Sequence, residues 1–205
     1  MVGIKSGPSG QVTVDLQNIK NTHVFLATPC YGGLVTEPFH RSMLNFTNIL
    51  QNNSIPFTSM TLANESLVTR ARNTLAAAFL ERKQCTHLMF VDADIEFSWD
   101  SILRLLDYNK NVVVGAYPKK GIEWQDLHND ITAGKVPIKD TELHSSSYAL
   151  NFERTNNKII QEGNLIKLKD AGTGFMLIKR EVFKPVSYTH LRAHETRHDL
   201  VCRLL

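Results

Sequence analysis

Two carboxylates separated by one small residue follow a strongly apolar run near the middle of the chain. The run covers residues 88–91, and Asp92, Ala93 and Asp94 come directly after it. In an extended backbone, side chains two residues apart point to the same side, so we expect Asp92 and Asp94 to face one ligand. Carboxylate oxygens in such a pair suit Mg²⁺ or Mn²⁺, which usually share their coordination with substrate phosphates. In the alternative interpretation, the two acids only end a strand and cap the following helix.

The spacing of apolar residues predicts alternating strands and helices on both sides of this motif. Predicted strands cover residues 23–28, 57–62, 87–92 and 111–117, and predicted helices cover residues 36–53, about 67–78 and a segment that begins after Ser98. This alternation is typical of an α/β domain with a mostly parallel central sheet and helices on both faces. Ligands of such sheets bind beyond the carboxyl ends of the strands, which is where the acidic pair is expected.

The remaining segments are less regular. Residues 119–164 are polar and interrupted by Gly and Pro, which predicts a long insertion with two short strand-like pieces. A glycine-containing stretch at Ala171 then leads into a last apolar strand that ends at Ile178. We expect residues 1–21 to form a flexible leader and residues 22–185 to form the folded domain, truncated at its C-terminal end.

The last segment, residues 186–205, resembles the translation of a sequencing-library adapter, and we set it aside as a non-native tail. It carries His190, His194, His198 and Cys202, which together invite interpretation as a metal cluster. Because the segment is excluded from function, these four residues receive no functional role.

The composition favours a single globular domain and gives no argument for nucleic-acid binding, a disulfide framework or a membrane span. A chain of 205 residues with 42% hydrophobic content is long enough for one α/β domain, and its net charge of +3 gives no electrostatic argument for nucleic-acid binding. Cys30 and Cys85 have neither the number nor the spacing of a disulfide framework or a zinc site, which favours a reducing compartment. Because there is no signal-peptide pattern and no apolar run of about 20 residues, we expect a cytoplasmic protein without a membrane span.

Four segments, taken together, resemble the GT-A glycosyltransferases. They are residues 25–33 (FLATPCYGG), 64–73 (NESLVTRARN), 90–94 (FVDAD) and 171–175 (AGTGF), and they occur in the order seen in that family. The closest likeness is to the enzymes of large viruses and phages, and a more distant one is to the fungal mannan-polymerase type. The resemblance covers residues 23 to about 184.

This resemblance implies a GT-A fold and a reaction. A hexose would pass from a nucleoside diphosphate sugar, with UDP as the expected nucleotide, to a hydroxyl group of a glycan or another acceptor. Mn²⁺ or Mg²⁺ would act as a Lewis acid on the departing diphosphate. The expected partners are therefore the nucleotide-sugar donor and the hydroxyl acceptor, with no nucleic acid.

The resemblance also implies roles for residues of the first loop and the second helix. Base and ribose would lie against the loop after the first strand, at Thr28, Pro29, Cys30 and Tyr31. Arg72 and Asn73 would face the nucleotide, and a guanidinium there would hold the diphosphate or fix Asp92. The competing interpretations are a plain turn for the loop and a solvated surface position for Arg70.

Further roles fall on the acids and on the last glycines. By the same analogy Asp92 would contact the ribose or a metal-bound water, Asp94 would bind the metal, and Glu96 is a weaker candidate. Gly172, Thr173 and Gly174 would line the pocket for donor sugar and acceptor, because missing side chains let a sugar approach the backbone. A β-bulge is the structural alternative for these glycines. Lys119 ends the fourth strand and is either a phosphate contact or a surface lysine.

Two other functions stay open. Members of the family normally continue with an acidic segment that supplies a catalytic base and often with a histidine that completes the metal shell. The catalytic residues of this chain are therefore unknown, which makes a non-catalytic nucleotide-sugar or glycan-binding fragment an alternative. A haloacid-dehalogenase-type phosphatase also carries Asp-x-Asp after an apolar strand. That motif usually follows the first strand, and it usually has Thr or Val at the position of Glu96.

Overall fold

The computed structural model describes residues 3–4, 14–15, 19–122, 124–135, 146–148, 150–183 and 200–204. The strands are β1 (Gly3–Ile4), β2 (Val14–Asp15), β3 (Val24–Cys30), β4 (Phe57–Ala63), β5 (His87–Val91), β6 (Val112–Ala116), β7 (Pro118–Ile122), β8 (Ser146–Tyr148), β9 (Leu150–Phe152), β10 (Arg154–Thr155), β11 (Lys158–Ile159), β12 (Gln161–Glu162), β13 (Leu165–Ala171), β14 (Phe175–Lys179) and β15 (Leu200–Leu204). The helices are α1 (Glu37–Asn52), α2 (Val68–Glu81), α3 (Trp99–Asp107) and α4 (Trp124–Thr132), with short 3₁₀ segments at Tyr31–Gly33 and Arg180–Phe183.

One mixed sheet organises the protein. Its strands lie in the order β12-β13-β15-β6-β14-β5-β3-β4, and β9 pairs with β13 beside this row. Strands β4 and β5 both run parallel to β3. Strand β14 runs antiparallel to both of its neighbours, β5 and β6, so these two strands point the same way. The chain is therefore an α/β protein with helices packed on a central mixed sheet.

The antiparallel strand corrects the expectation of a mostly parallel sheet. Strands β3, β5 and β6 follow the predicted strand and helix alternation, but β6 does not pair with β5. Strand β14 fills the position between them and starts at the edge where β5 ends, because Phe175 pairs with Val91. The residues that precede β14 are thereby brought next to the acidic pair.

Helices cover both faces of the central strands because alternate residues point to opposite faces. Leu26 of β3 shares an apolar cluster with Phe46 of α1 and Ile102 of α3. The preceding residue, Phe25, shares a different cluster with Leu75 of α2. Helix α2 therefore lies on one face of the sheet, and α1 and α3 lie on the other.

The C-terminal end of α2 is held by Arg180. Its Nη2 donates hydrogen bonds of 2.7 Å to the carbonyl oxygens of Phe79 and Arg82. Its guanidinium carbon also lies 4.2 Å from the ring centroid of Phe79. A positive charge at this end of a helix is favourable because the last carbonyl groups carry partial negative charge. This contact fixes the helix that carries Arg72.

The two ends of the chain differ in part from expectation. Ile19 belongs to the expected leader, yet it is buried in the cluster that contains Leu26, so the packed domain begins earlier than residue 22. In the expected tail, residues 200–204 form β15, which runs parallel to β6 and antiparallel to β13. His190, His194 and His198 lie outside the described residues.

The insertion contains more structure than the sequence suggests. Strands β9 and β11 lie near the two expected strand-like pieces, but α4 and the pairing of β7 with β8 were not predicted. Leu127 anchors α4 through a side chain that is 5% exposed. Among the described residues, no helix is long and apolar enough to cross a membrane.

Candidate functional site

The carboxyl ends of β3 and β5 lie side by side in the sheet. The two strands are parallel neighbours, but the chain continues from β3 to β4 on one side and from β5 towards β6 on the other. In open α/β sheets, such a reversal of direction leaves room for ligands beyond the strand ends. The acidic pair follows β5, and the loop that begins at Tyr31 follows β3.

Asp92 and Asp94 occupy a turn, which corrects the extended geometry expected from their spacing. The backbone N–H of Ile95 donates to the carbonyl oxygen of Asp92 at 3.1 Å, which closes a four-residue turn. Asp92 is half-buried, whereas Asp94 is exposed. The carbonyl oxygen of Ala93 accepts a 2.9 Å hydrogen bond from the backbone N–H of Thr36. This bond joins the acidic turn to the loop after β3.

Arg72 of α2 and Asp92 form an ion pair beyond the end of β5. The Nη2 atom of Arg72 lies 2.8 Å from Oδ1 of Asp92, and the two side chains are 20% and 30% exposed. Among the described residues, Nε of Arg72 is buried and has no hydrogen-bond partner. Arg72 was predicted either to hold a diphosphate or to fix Asp92, and the second of these contacts is present.

The neighbours of Arg72 on α2 point elsewhere. Arg70 is exposed and lies 3.5 Å from a carboxylate oxygen of Glu65, which agrees with its interpretation as a surface residue. Asn73 is also exposed. Arg72 is thus the residue of this group that contacts the acidic turn.

Gly174 packs directly against Asp92. The backbone N–H of Asp92 donates to the carbonyl oxygen of Gly174 at 2.8 Å. A Cβ atom added to Gly174 would lie 2.7 Å from Oδ2 of Asp92 and 2.6 Å from the hydroxyl oxygen of Tyr117. Carbon and oxygen atoms normally stay farther apart, so this position requires glycine. Gly172 and Thr173 precede it as half-buried residues of the same turn region.

Tyr117 brings a hydroxyl group into the site. Its oxygen accepts a 3.0 Å hydrogen bond from the backbone N–H of Gly174. Burial raises the pKa of Tyr117 above its ordinary value, and the carboxylates of Asp92 and Asp94 raise this pKa further, while the Gly174 N–H and Arg72 oppose the shift. Both carboxylates and the guanidinium therefore lie within electrostatic reach of one hydroxyl group.

Strand β3 is longer than predicted, which changes the interpretation of its last residues. Thr28 and Cys30 lie inside the strand and are buried, and Oγ1 of Thr28 has no partner among the described residues. Pro29 is half-buried, and Tyr31 is 79% exposed. Of the four residues expected to contact a nucleotide here, Pro29 and Tyr31 have side chains that reach the surface.

Two weaker candidates lie apart from the acidic pair. Glu96 is exposed and bonds with Arg41 at 3.0 Å, beside a depression of about 430 Å³ between α1 and α3. This depression includes neither Asp92 nor Asp94. Lys119 lies in β7 and not at the end of the fourth predicted strand, and it is exposed, as the surface-lysine interpretation predicts.

The donor set is compatible with a hard divalent cation. In the described part of the chain, no three His, Cys, Asp or Glu side chains gather into a group that could hold a metal ion. Mg²⁺, however, is usually bound through one or two carboxylates together with substrate phosphates and water. Asp92 and Asp94 supply two carboxylates from one turn, which is the number of protein ligands in that pattern.

Two contributors to the site were missed from the sequence. Tyr117 was predicted to end a strand at the edge expected to hold a ligand, but it received no role of its own. Thr36 was treated only as the start of a helix, and it does cap α1 by accepting a 3.4 Å bond from the N–H of Phe39. Its second contact, with Ala93, joins residues far apart in sequence and left no local signal.

Comparison with known proteins gives a likeness of fold. No protein-family profile matches the chain, and no curated protein matches its sequence. Sixteen chains of solved structures match it. One of them is the crystal structure of A197 from STIV, with a TM-score of 0.52 and 18% sequence identity, covering 89% of this chain and 82% of that one.

Proposed function

We propose that this chain binds a nucleoside diphosphate sugar together with a divalent cation and belongs to a GT-A glycosyltransferase. The proposed reaction is transfer of a hexose, with UDP as the leaving nucleotide, to a hydroxyl acceptor. One observation carries the proposal: the Arg72–Asp92 ion pair, the Tyr117 hydroxyl and the turn that carries Asp94 meet at the point where the chain connections from β3 and β5 leave in opposite directions. Such a point is the usual ligand site of open α/β sheets.

The charges of this cluster suit a diphosphate. Mg²⁺ or Mn²⁺ supplies Lewis-acid stabilisation of the departing diphosphate when it is bound. Asp94 is exposed on the turn and is the residue we assign to the cation, with Asp92 beside it. Arg72 supplies a fixed positive charge next to them. The negative charge that develops on the leaving group would therefore be stabilised from the side of β5 and α2.

The surroundings suit the other parts of the donor. Tyr31 is exposed on the loop after β3, where its ring can stack against a base. Gly172, Thr173 and Gly174 lie where β14 meets the acidic turn, and the glycines permit a sugar to approach the backbone. We assign the sugar and acceptor pocket to this side. The catalytic base stays unassigned.

The phosphatase alternative requires Asp92 to attack a phosphorus atom. Oδ1 of Asp92 is 2.8 Å from Arg72, and Oδ2 lies close to Gly174, where an added Cβ would come within 2.7 Å of it. A carboxylate paired at one oxygen and closely packed at the other is poorly placed to act as a nucleophile. The contacts of Asp92 therefore favour a binding role over covalent catalysis.

Calorimetric titration with UDP and GDP, with and without Mn²⁺, tests the proposal. We expect Mn²⁺-dependent binding of UDP that weakens about tenfold or more in Asp94→Asn, equivalent to at least ~1.4 kcal/mol. Asp107→Asn is the matched control, because it changes the same charge at the far end of α3. Equal UDP affinity in wild type and Asp94→Asn would refute the assignment.

An activity assay separates the alternatives. UDP-sugar hydrolysis that depends on Mn²⁺ supports a transferase, and nucleotide binding without turnover supports a binding fragment. Release of phosphate from p-nitrophenyl phosphate, without preference for nucleotide sugars, would support a phosphatase and contradict the proposal.

A further inference from the structure

Arg72 is held by Asp92 in a way that leaves part of its hydrogen-bonding capacity unused. Nη2 of Arg72 lies 2.8 Å from Oδ1 of Asp92, but the buried Nε has no acceptor among the described residues. A buried donor on a charged group without a partner is unfavourable. The side chain therefore gains from any arrangement that offers Nε an oxygen atom.

Binding of a divalent cation and a diphosphate would provide such an arrangement. In the ion pair, the positive charge of Arg72 neutralises the negative charge of Asp92. A divalent cation bound beside Asp92 would compete directly with the guanidinium for this carboxylate. A diphosphate then offers several oxygen acceptors, and a guanidinium binds phosphate through two parallel hydrogen bonds.

We propose that Arg72 exchanges partners during ligand binding: it neutralises Asp92 until a divalent cation does so, and it then donates to the diphosphate. This inference rests on the proposed function and adds regulation to it. Arg72 acts as a built-in counter-ion of Asp92, and it couples cation binding to nucleotide binding. The site thereby favours the cation and the nucleotide as a pair over either one alone.

If Arg72 exchanges partners, replacing it should change the affinities for Mn²⁺ and for UDP in opposite directions. Arg72→Met removes the competing charge, so the affinity for Mn²⁺ alone should rise about fivefold, as expected for losing one nearby positive charge. The same change removes a charged donor from the diphosphate, so the affinity for UDP in saturating Mn²⁺ should fall about tenfold or more. A role confined to packing would lower both affinities together.

Arg70→Met is the matched control. It removes the same charge from the same helix, but Arg70 is exposed and pairs with Glu65. Both affinities should stay within about twofold of wild type. Arg72→Lys keeps the charge and loses the planar guanidinium, so Mn²⁺ affinity should stay near wild type while UDP affinity falls. This variant keeps the test decisive if Arg72→Met folds poorly.

Free Mn²⁺ is measured by electron paramagnetic resonance, and UDP binding is measured by calorimetry. A rise in Mn²⁺ affinity together with a fall in UDP affinity in Arg72→Met supports the exchange. If the wild type binds both ligands and Arg72→Met changes the two affinities in the same direction or not at all, the exchange is overturned but the proposed function is not. Absence of UDP and Mn²⁺ binding in the wild type overturns the proposed function as well.

Discussion

Substitution of Gly174 by alanine tests the geometry of the site most directly. The new Cβ would lie 2.6 Å from the Tyr117 hydroxyl oxygen and 2.7 Å from Oδ2 of Asp92. Neither neighbour can move freely, because the hydroxyl is bonded to the Gly174 N–H and the carboxylate is bonded to Arg72. Overpacking of this kind destabilises proteins by about 1–3 kcal/mol.

Two measurements follow from this clash. The midpoint of thermal unfolding should fall by about 2–4 °C for each kcal/mol lost, as is usual for domains of this size. Affinity for UDP and Mn²⁺ should fall at least several-fold, because both displaced groups border the proposed ligand. Unfolding is followed by circular dichroism, and binding is followed by calorimetry at a temperature where the variant is folded.

Gly134→Ala separates the loss of binding from a general loss of stability. Gly134 has a φ of +67° and open space around it, so alanine there is strained by about 1–2 kcal/mol without touching the site. This control should lose stability and keep its affinity for UDP. A Gly174→Ala protein with wild-type stability and wild-type affinity would refute the packing of Asp92, Gly174 and Tyr117 described above.

Two further predictions concern Tyr117 and His87. Tyr117→Phe leaves the Gly174 N–H without its 3.0 Å acceptor, so the free energy of unfolding, measured in urea, should fall by about 1–3 kcal/mol. Calorimetric titration should show a weaker affinity for UDP. Unchanged stability and affinity would contradict the role of this hydroxyl. The pKa of His87 is lowered from 6.5 to about 4 by burial, and Lys179 adds to the shift. Between these pH values the unfolded chain binds a proton that the folded protein does not, so this histidine should reduce stability by about 3 kcal/mol as pH falls from 7 to 4. Urea unfolding across this range should show a weaker pH dependence in His87→Gln, and equal pH dependence in the two proteins would contradict the shift.

Local patterns predicted the elements that lie on either side of the acidic pair. The apolar spacing of Phe39, Phe46 and Leu50 marks the buried face of α1, and these residues are buried in the structure. The apolar run before Asp92 likewise forms a buried strand. These elements could be predicted because the helix and strand periods appear as spacings between apolar residues that are close in sequence.

The neighbours of Asp92 could not be predicted, because they depend on strand pairing between residues far apart in sequence. Strand β14 enters between β5 and β6 after the insertion, and nothing near Gly174 in sequence specifies Asp92 or Tyr117 as its neighbours. The turn at residues 92–95 depends on where β5 stops pairing. Helix α4 was missed for a different reason: nine residues with one anchoring side chain, Leu127, give a weak periodic signal.

The surroundings of the two acids indicate a division of roles that their spacing alone does not reveal. Asp92 is fixed through its backbone by Gly174 and through its carboxylate by Arg72, so its position is set before any ligand arrives. Asp94 lies exposed on the turn. A half-buried carboxylate is stabilised only while its partner charge stays close, so the fixed acid depends on Arg72 more than the exposed one does. Under the proposed function, Asp92 therefore sets the electrostatics of the site, and Asp94 is the acid assigned to the cation.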